Sequence, residues 1–413
     1  MADARFSHLM QRTSWARHGW RRTYGKQPRA AGIRGSACGL ACLAVCAALA
    51  LASCSSPSGA PAGSASQGRS AAGTLLAGPY TVQGNEIVGS NGKPFVPYGI
   101  TVAGLSQSDW AANIGSDEAQ IAATARYWHG NTVRLQVAPP NLLRGYPYNR
   151  PYLAAVEQEV AAAQRSGLVV ILSAQYENTT HLQMPNTSTG QFWRLIASRY
   201  RRDLGVWFDL FNEPELDPDR GNPGNKQAAE QFYWDLWQNG GYGYVGMQSL
   251  VNVIRGTGAR NVILAEGLAV AKTLAGLPGH MLTGGNVAYA VHPYFSAAYW
   301  ATPQGWESNW GFLTGEVPVV ADEWGEFQKA GYECVPQAPT LVPAFLSYLA
   351  EHHVGLIAWA LVPGALIRGT NLDDPTAFNP GVTWRCVNTN GGPPSQGAGQ
   401  LIQDFFAAHS VQF

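Results

Sequence analysis

Eight short runs dominated by Val, Ile, Leu, Phe and Ala, at residues 95–100, 132–137, 168–174, 206–211, 262–265, 288–291, 317–321 and 356–361, recur along the chain with longer stretches between them. The apolar residues in these runs are continuous rather than alternating. That is the pattern of strands buried on both faces, as in a parallel sheet covered by helices. The intervening stretches read as helices. Ser116-Asp117-Glu118 offers a capping residue and first-turn acids, and is expected to open one. Residues 152–165 (YLAAVEQEVAAAQR) are amphipathic, with Gly167 just beyond as a stop. Residues 191–202, 227–238, 247–255, 342–352 and 401–409 supply further candidates. Eight strands alternating with helices in one α/β unit predict a single (β/α)8 barrel with long βα loops. A doubly wound open sheet competes, but no glycine-rich phosphate loop follows the first run.

Composition separates this unit from what precedes it. The 27 basic and 27 acidic residues cancel over the 413-residue chain. The first 35 residues hold eight of the basic ones against Asp3 alone, so the remainder is acidic by seven charges. An acidic domain argues against a nucleic-acid partner. Residues 36–53 carry no charge and are rich in Ala. A basic arm followed by a short apolar run has the form of an export signal. It ends in Leu51-Ala52-Ser53-Cys54, which resembles the bacterial lipobox. The resemblance implies a signal segment over 1–54, with Cys54 lipidated and the protein held at the outer face of the cell membrane. An uncleaved signal anchor is the alternative. Residues 55–78 are a Ser/Gly/Ala/Pro tether, so the folded domain is expected over 79–413, and a monomer is assumed. Only Cys334 and Cys386 of the six cysteines remain in that domain. In an exported protein they suggest one disulfide, the alternative being two buried thiols.

In a barrel of this type chemistry sits at the C-terminal ends of the strands. The polar residues there are Arg134, Gln175, Asn212, Glu213, Glu266, His292, Tyr294, Glu323 and Trp359. Glu213 lies in Phe208-Asp209-Leu210-Phe211-Asn212-Glu213-Pro214, and Glu323 in Val319-Val320-Ala321-Asp322-Glu323-Trp324-Gly325. Two carboxyl groups at facing strand ends are what cleavage of a glycosidic bond requires: one protonates the leaving oxygen and the other attacks the anomeric carbon. Strand alternation would turn Asp322 away from Glu323, and Asp209 lies within its run, so both read as structural. Glu326, three residues beyond Glu323, is a rival. Tyr299, Trp300, Trp306 and Trp310 fall in the loop after the sixth run. One or two of them are expected to present flat faces to a sugar.

Asn212-Glu213-Pro214 and Glu323-Trp324-Gly325, taken in order with Asn131-Thr132-Val133-Arg134-Leu135, His292-Pro293-Tyr294 and Trp359, resemble glycoside hydrolase family five, the cellulase and mannanase family. The likeness runs over roughly residues 80–410. It implies a retaining β-glycosidase with Glu213 as acid/base and Glu323 as nucleophile, needing neither metal nor cofactor. Asn212 would bind the sugar 2-hydroxyl and Arg134 would keep the nucleophile ionised. His292 and Tyr294 would position the nucleophile and the sugar, and Trp359 would stack beneath that sugar. Ile171-Leu172-Ser173-Ala174-Gln175 departs from the family pattern, which commonly ends in His at that strand. Gln175 can hydrogen-bond a hydroxyl but carries no charge, so the sugar preference stays open. The substrate is expected to be a β-linked poly- or oligosaccharide, a cellulose-like glucan first. Mannan, β-1,3-glucan or a glycolipid are alternatives, and so is a carbohydrate-binding surface lipoprotein without activity.

Overall fold

A computed structural model describes residues 78–175, 183–217, 226–295, 301–325, 338–361, 365–367 and 398–410. Cys54, Cys334, Cys386, Tyr299, Trp300 and Glu326 lie outside the described residues, as do the leader and the tether. The strands are β1 (Tyr98–Val102), β2 (Thr132–Val137), β3 (Val169–Ala174), β4 (Val206–Asp209), β5 (Ile263–Glu266), β6 (Val287–Val291), β7 (Val319–Trp324) and β8 (Gly355–Ala358). Each pairs in parallel with its sequence neighbours, and β8 pairs with β1, so the sheet closes into the expected eight-stranded barrel. Around it lie α1 (Trp110–Arg126), α2 (Arg150–Arg165), α3 (Thr187–Tyr200), α4 (Lys226–Asn239), α5 (Met247–Gly256), α6 (Pro303–Asn309), α7 (Ala338–Glu351) and α8 (Ala398–His409).

Alternation along the strands divides the apolar residues into two cores. Val170, Leu172, Val206, Phe208, Ile263 and Val291 face outward to the helices. Val169, Ile171, Trp207, Leu264, Ala288, Ala290, Val320 and Ile357 fill the barrel, together with Tyr80, Ile87 and Phe95. Those last three explain why β1 begins at Tyr98 and not at Phe95. The Phe95 N–H bonds to Ile87 O of a hairpin formed by Thr81–Gln83 and Glu86–Val88. Its ring meets Tyr80 and Trp207 at centroid distances of 5.0 and 5.6 Å. This cluster stoppers one end of the barrel.

Helix α1 starts six residues before Ser116, so the expected opening lies inside it. Asp117 points inward and meets Glu159 of α2, both side chains being fully buried. Two acids in one dry contact cannot both stay ionised. Burial pushes Asp117 up to about 7, and burial together with the Asp117 charge pushes Glu159 up to about 10. The fold therefore holds a proton that the unfolded chain releases. Its contribution to stability is full below about pH 4 and is lost as pH rises through 7 and towards 10. Glu159→Gln supplies a permanent donor to Asp117. It is expected to stabilise the protein by about 1–3 kcal/mol at pH 8, with the gain shrinking towards pH 4 in chemical unfolding.

Candidate active site

The barrel interior changes character along its axis. On the strand positions that continue the inward apolar residues stand Ser173 of β3, Asp209 of β4, Glu266 of β5 and Asp322 of β7, with His292 just past β6. Arg134 of β2 reaches Ser173 and the three acids. It is fully buried and donates through Nη2 to Asp209 Oδ2 (2.9 Å), Ser173 Oγ (3.0 Å), Asn212 Oδ1 (2.7 Å) and Glu266 Oε1 (2.9 Å). Its Nη1 donates to Glu323 Oε2 at 2.9 Å, and its Nε lies 3.6 Å from Asp322 Oδ2. Burial alone would lower the guanidinium pKa, but Asp209, Asp322, Glu266 and Glu323 hold it well above its ordinary value. Arginine only donates, so the Asn212 amide presents its oxygen to Arg134 and keeps its NH2 group for other partners.

Asp322 and Glu323, adjacent in sequence, both face this cluster, contrary to the alternation expected of a regular strand. Ala321 pairs with Leu356 and Trp324 with Ala358, so β7 advances three residues against two on β8. This β-bulge turns Glu323 to the side that Asp322 already occupies.

Glu323 accepts three hydrogen bonds: from Arg134, from Gln136 Nε2 at 3.0 Å on the same oxygen, and from the Tyr294 hydroxyl at 3.1 Å on the other. Burial pushes its pKa up, while His292, Arg134 and the Tyr294 hydrogen bond pull it down. Arg134, Gln136 and Tyr294 all act as donors, and donors favour the ionised form, so Glu323 is held as a carboxylate. Burial and the Glu323 charge raise Tyr294 well above its ordinary range, so its hydroxyl stays a donor.

Glu213 follows β4 with a left-handed backbone (φ 54°). Its N–H donates to Glu266 Oε2 at 2.6 Å, and its Oε1 lies 3.1 Å from His292 Nδ1. The other imidazole nitrogen, Nε2, lies 3.3 Å from both Glu266 and Asp322. Burial would lower the His292 pKa, but Glu266 and Glu323 raise it well above the ordinary value, so the ring is an imidazolium. Burial also raises Glu266 and Asp209, against the opposing charges of His292 and Arg134 respectively.

Exposure separates the five carboxyl groups by what they can touch. Asp209, Glu266 and Asp322 side chains are 0% exposed, whereas Glu323 is 7% and Glu213 26% exposed. Only the latter two open to a ligand. Glu213, His292 and Glu323 offer ligand atoms within 4.8 Å of one another, and Glu266, His292 and Asp322 make a second such group. Both groups share one imidazolium, and Arg134 already neutralises Glu266 and Glu323.

Six residues expected from the sequence therefore meet: Arg134, Asn212, Glu213, His292, Tyr294 and Glu323. Gln175 follows β3 almost fully buried, its N–H on Val137 O and its Oε1 without a partner among the described residues. Trp359 follows β8 half-buried, its N–H on Trp324 O at 2.8 Å. Trp306 and Trp310 are not sugar platforms. Both are 1% exposed and pack on Phe345 and Tyr348 of α7, because Thr302 caps a helix where the sequence suggests loop. Gln136 was missed, although it lies two residues from Arg134 and so on the same face of β2.

Residues 88–364 match the family model described as Cellulase (glycosyl hydrolase family 5). The cellulase CelDZ1 of Thermoanaerobacterium sp. is 22% identical over 313 residues, 71% of this chain and 74% of that protein. Among solved structures, the β-glucanase SdGluc5_26A of Saccharophagus degradans in complex with cellotetraose superposes with a TM-score of 0.60 at 22% identity, covering 80% of this chain and 93% of that one. The catalytic domain of the Thermobifida fusca endoglucanase Cel5A gives 0.57 at 16%, covering 81% and 99%. At these identities the structures speak for the fold alone.

Proposed function

The chain belongs to glycosyl hydrolase family 5 and is thus a glycosidase acting on O-glycosyl bonds, and from that premise we propose that it hydrolyses a β-linked glucan with retention of configuration. Glu213 donates its proton to the glycosidic oxygen while Glu323 Oε attacks the anomeric carbon. The C–O bond to the leaving sugar breaks, and a glycosyl ester forms on Glu323. Glu213, now a carboxylate, takes a proton from water, and that water displaces Glu323 and releases the sugar with its original anomeric configuration.

The observation that carries this reading is the short reach between the two accessible carboxyl groups, with ligand atoms of Glu213 and Glu323 within 4.8 Å. Retaining enzymes hold them about 5–5.5 Å apart, while inverting ones leave about 6.5–9.5 Å for a water molecule. Arg134, Gln136 and Tyr294 hold Glu323 by both oxygens, which supports its role as an ionised, oriented nucleophile. A glucan is favoured because a β-glucanase of the same fold is described with cellotetraose. Gln175 and Trp359 are assigned to the sugar on their strand-end positions, and Trp300 on its sequence position alone. Export with a lipid anchor at Cys54, and a Cys334–Cys386 disulfide, belong to the same proposal on sequence grounds.

Proton NMR of a cello-oligosaccharide digest tests the mechanism. The β-anomer is expected first, with the α-anomer growing in only by mutarotation. An α-anomer as first product would overturn retention.

A further inference from the structure

Four left-handed non-glycine residues crowd the end of β5: Glu213 (φ 54°) and the consecutive Ala269, Val270 and Ala271 (φ 57°, 56° and 60°). Each such residue brings its Cβ too close to the following carbonyl oxygen and persists only where its surroundings over-determine it. Here each segment determines the other. The Val270 N–H donates to Pro214 O at 2.9 Å and the Ala269 N–H to Leu216 O at 2.7 Å. Ala271 O accepts from the His292 N–H at 2.7 Å. Glu266, which opens the segment, accepts the Glu213 N–H on Oε2 at 2.6 Å. Its other oxygen lies 2.9 Å from Arg134 Nη2 and 3.3 Å from His292 Nε2. Gly267 lets the chain turn immediately after it, since a Cβ there would overlap Thr273 O.

The stretch from Glu266 to Ala271 is thus a bracket that grips both Glu213 and its imidazole partner, while Glu266 itself is sealed from solvent and cannot touch substrate. We propose that Glu266 is the positioning residue of the acid/base: it holds the peptide of Glu213 in the left-handed conformation that brings the Glu213 carboxyl to His292 and the cleft. This rests on the reading of Glu213 as acid/base and assigns a role to a residue outside the family motifs. Without Glu266 the Glu213 N–H loses its buried acceptor and the backbone is released. Proton delivery should then fail while attack by Glu323 survives.

Leaving-group dependence reads that difference. Dinitrophenolate departs without a proton, whereas phenol needs one. In Glu266→Ala, kcat/KM on phenyl β-cellobioside is expected to fall about 100-fold or more, and on 2,4-dinitrophenyl β-cellobioside less than about tenfold. Both rates come from one preparation, so their ratio is independent of how much of it is folded. Glu266→Gln keeps the length and an acceptor for one donor and is expected to widen the ratio less. Adding Glu266→Ala to Glu213→Ala should leave the ratio of the single Glu213 variant unchanged. If Glu213→Ala widens the ratio and Glu266→Ala does not, the positioning role is overturned alone. If Glu213→Ala itself leaves the ratio unchanged, the acid/base reading falls and takes the proposal with it.

Discussion

Glu323→Gln is expected to lower kcat on β-glucan by about 10⁵-fold, the loss typical of removing a covalent nucleophile, with little change in stability. The amide keeps the shape of the side chain and an oxygen for Arg134 Nη1 and Gln136 Nε2, so the pocket stays filled. What disappears is the electron pair that forms the glycosyl ester. The bulge in β7 makes a sharper test necessary, because Asp322 faces the same cluster and lies 3.6 Å from the same guanidinium. Mass spectrometry after reaction with a 2-deoxy-2-fluoro β-glycoside separates the two. The added mass should sit on Glu323 and be absent from the Gln variant. Labelling of Asp322 would refute the assignment, and its complete burial is the reason to expect none.

The barrel was legible because a strand covered on both faces must be apolar throughout; eight such runs alternating with helices fit a closed parallel sheet, and the lack of a glycine-rich loop after the first run weighed against the open one. The site was legible for a related reason. A polar residue directly after such a run stands at the strand's C-terminal end, which is where Asn212, Glu213 and His292 were found. What stayed hidden depended on contacts distant in sequence. Asp117 and Glu118 looked like first-turn acids of a helix, but Asp117 is partnered across to Glu159, 42 residues on, and the helix begins earlier. Trp306 and Trp310 looked like exposed aromatics because nothing local signals the α7 surface that covers them. The bulge in β7 needs one extra residue against β8, a register fact that no single strand contains. Gln136 could have been found, since it continues the inward alternation of its own strand; Glu266 stood among the strand-end polar residues, and only its contact with the Glu213 peptide was hidden.

Arg134→Met is expected to be the most damaging change to stability, by about 3–5 kcal/mol, the usual cost of leaving buried charges without their partner. Methionine matches much of the length, so packing contributes little of the loss. Arg134 is the cation within 2.9 Å of Asp209, Glu266 and Glu323 at once. In its absence burial and mutual repulsion leave these acids only one escape, which is to take up protons. Their folded pKa values then rise further above the unfolded ones, and a raised carboxyl group loses stability as pH rises. The deficit relative to the unsubstituted protein should therefore be smallest near pH 4–5 and largest above pH 7 in urea unfolding; an equal deficit at pH 5 and pH 8 would show that the guanidinium acts by packing alone. Arg134→Lys sharpens the same argument. Its single ammonium restores charge but not the fork that spans Asp209, Glu266 and Glu323 from two nitrogens. Stability is expected to recover in part while kcat stays depressed by about 100-fold or more, because the nucleophile regains a nearby charge but not the donor that orients it.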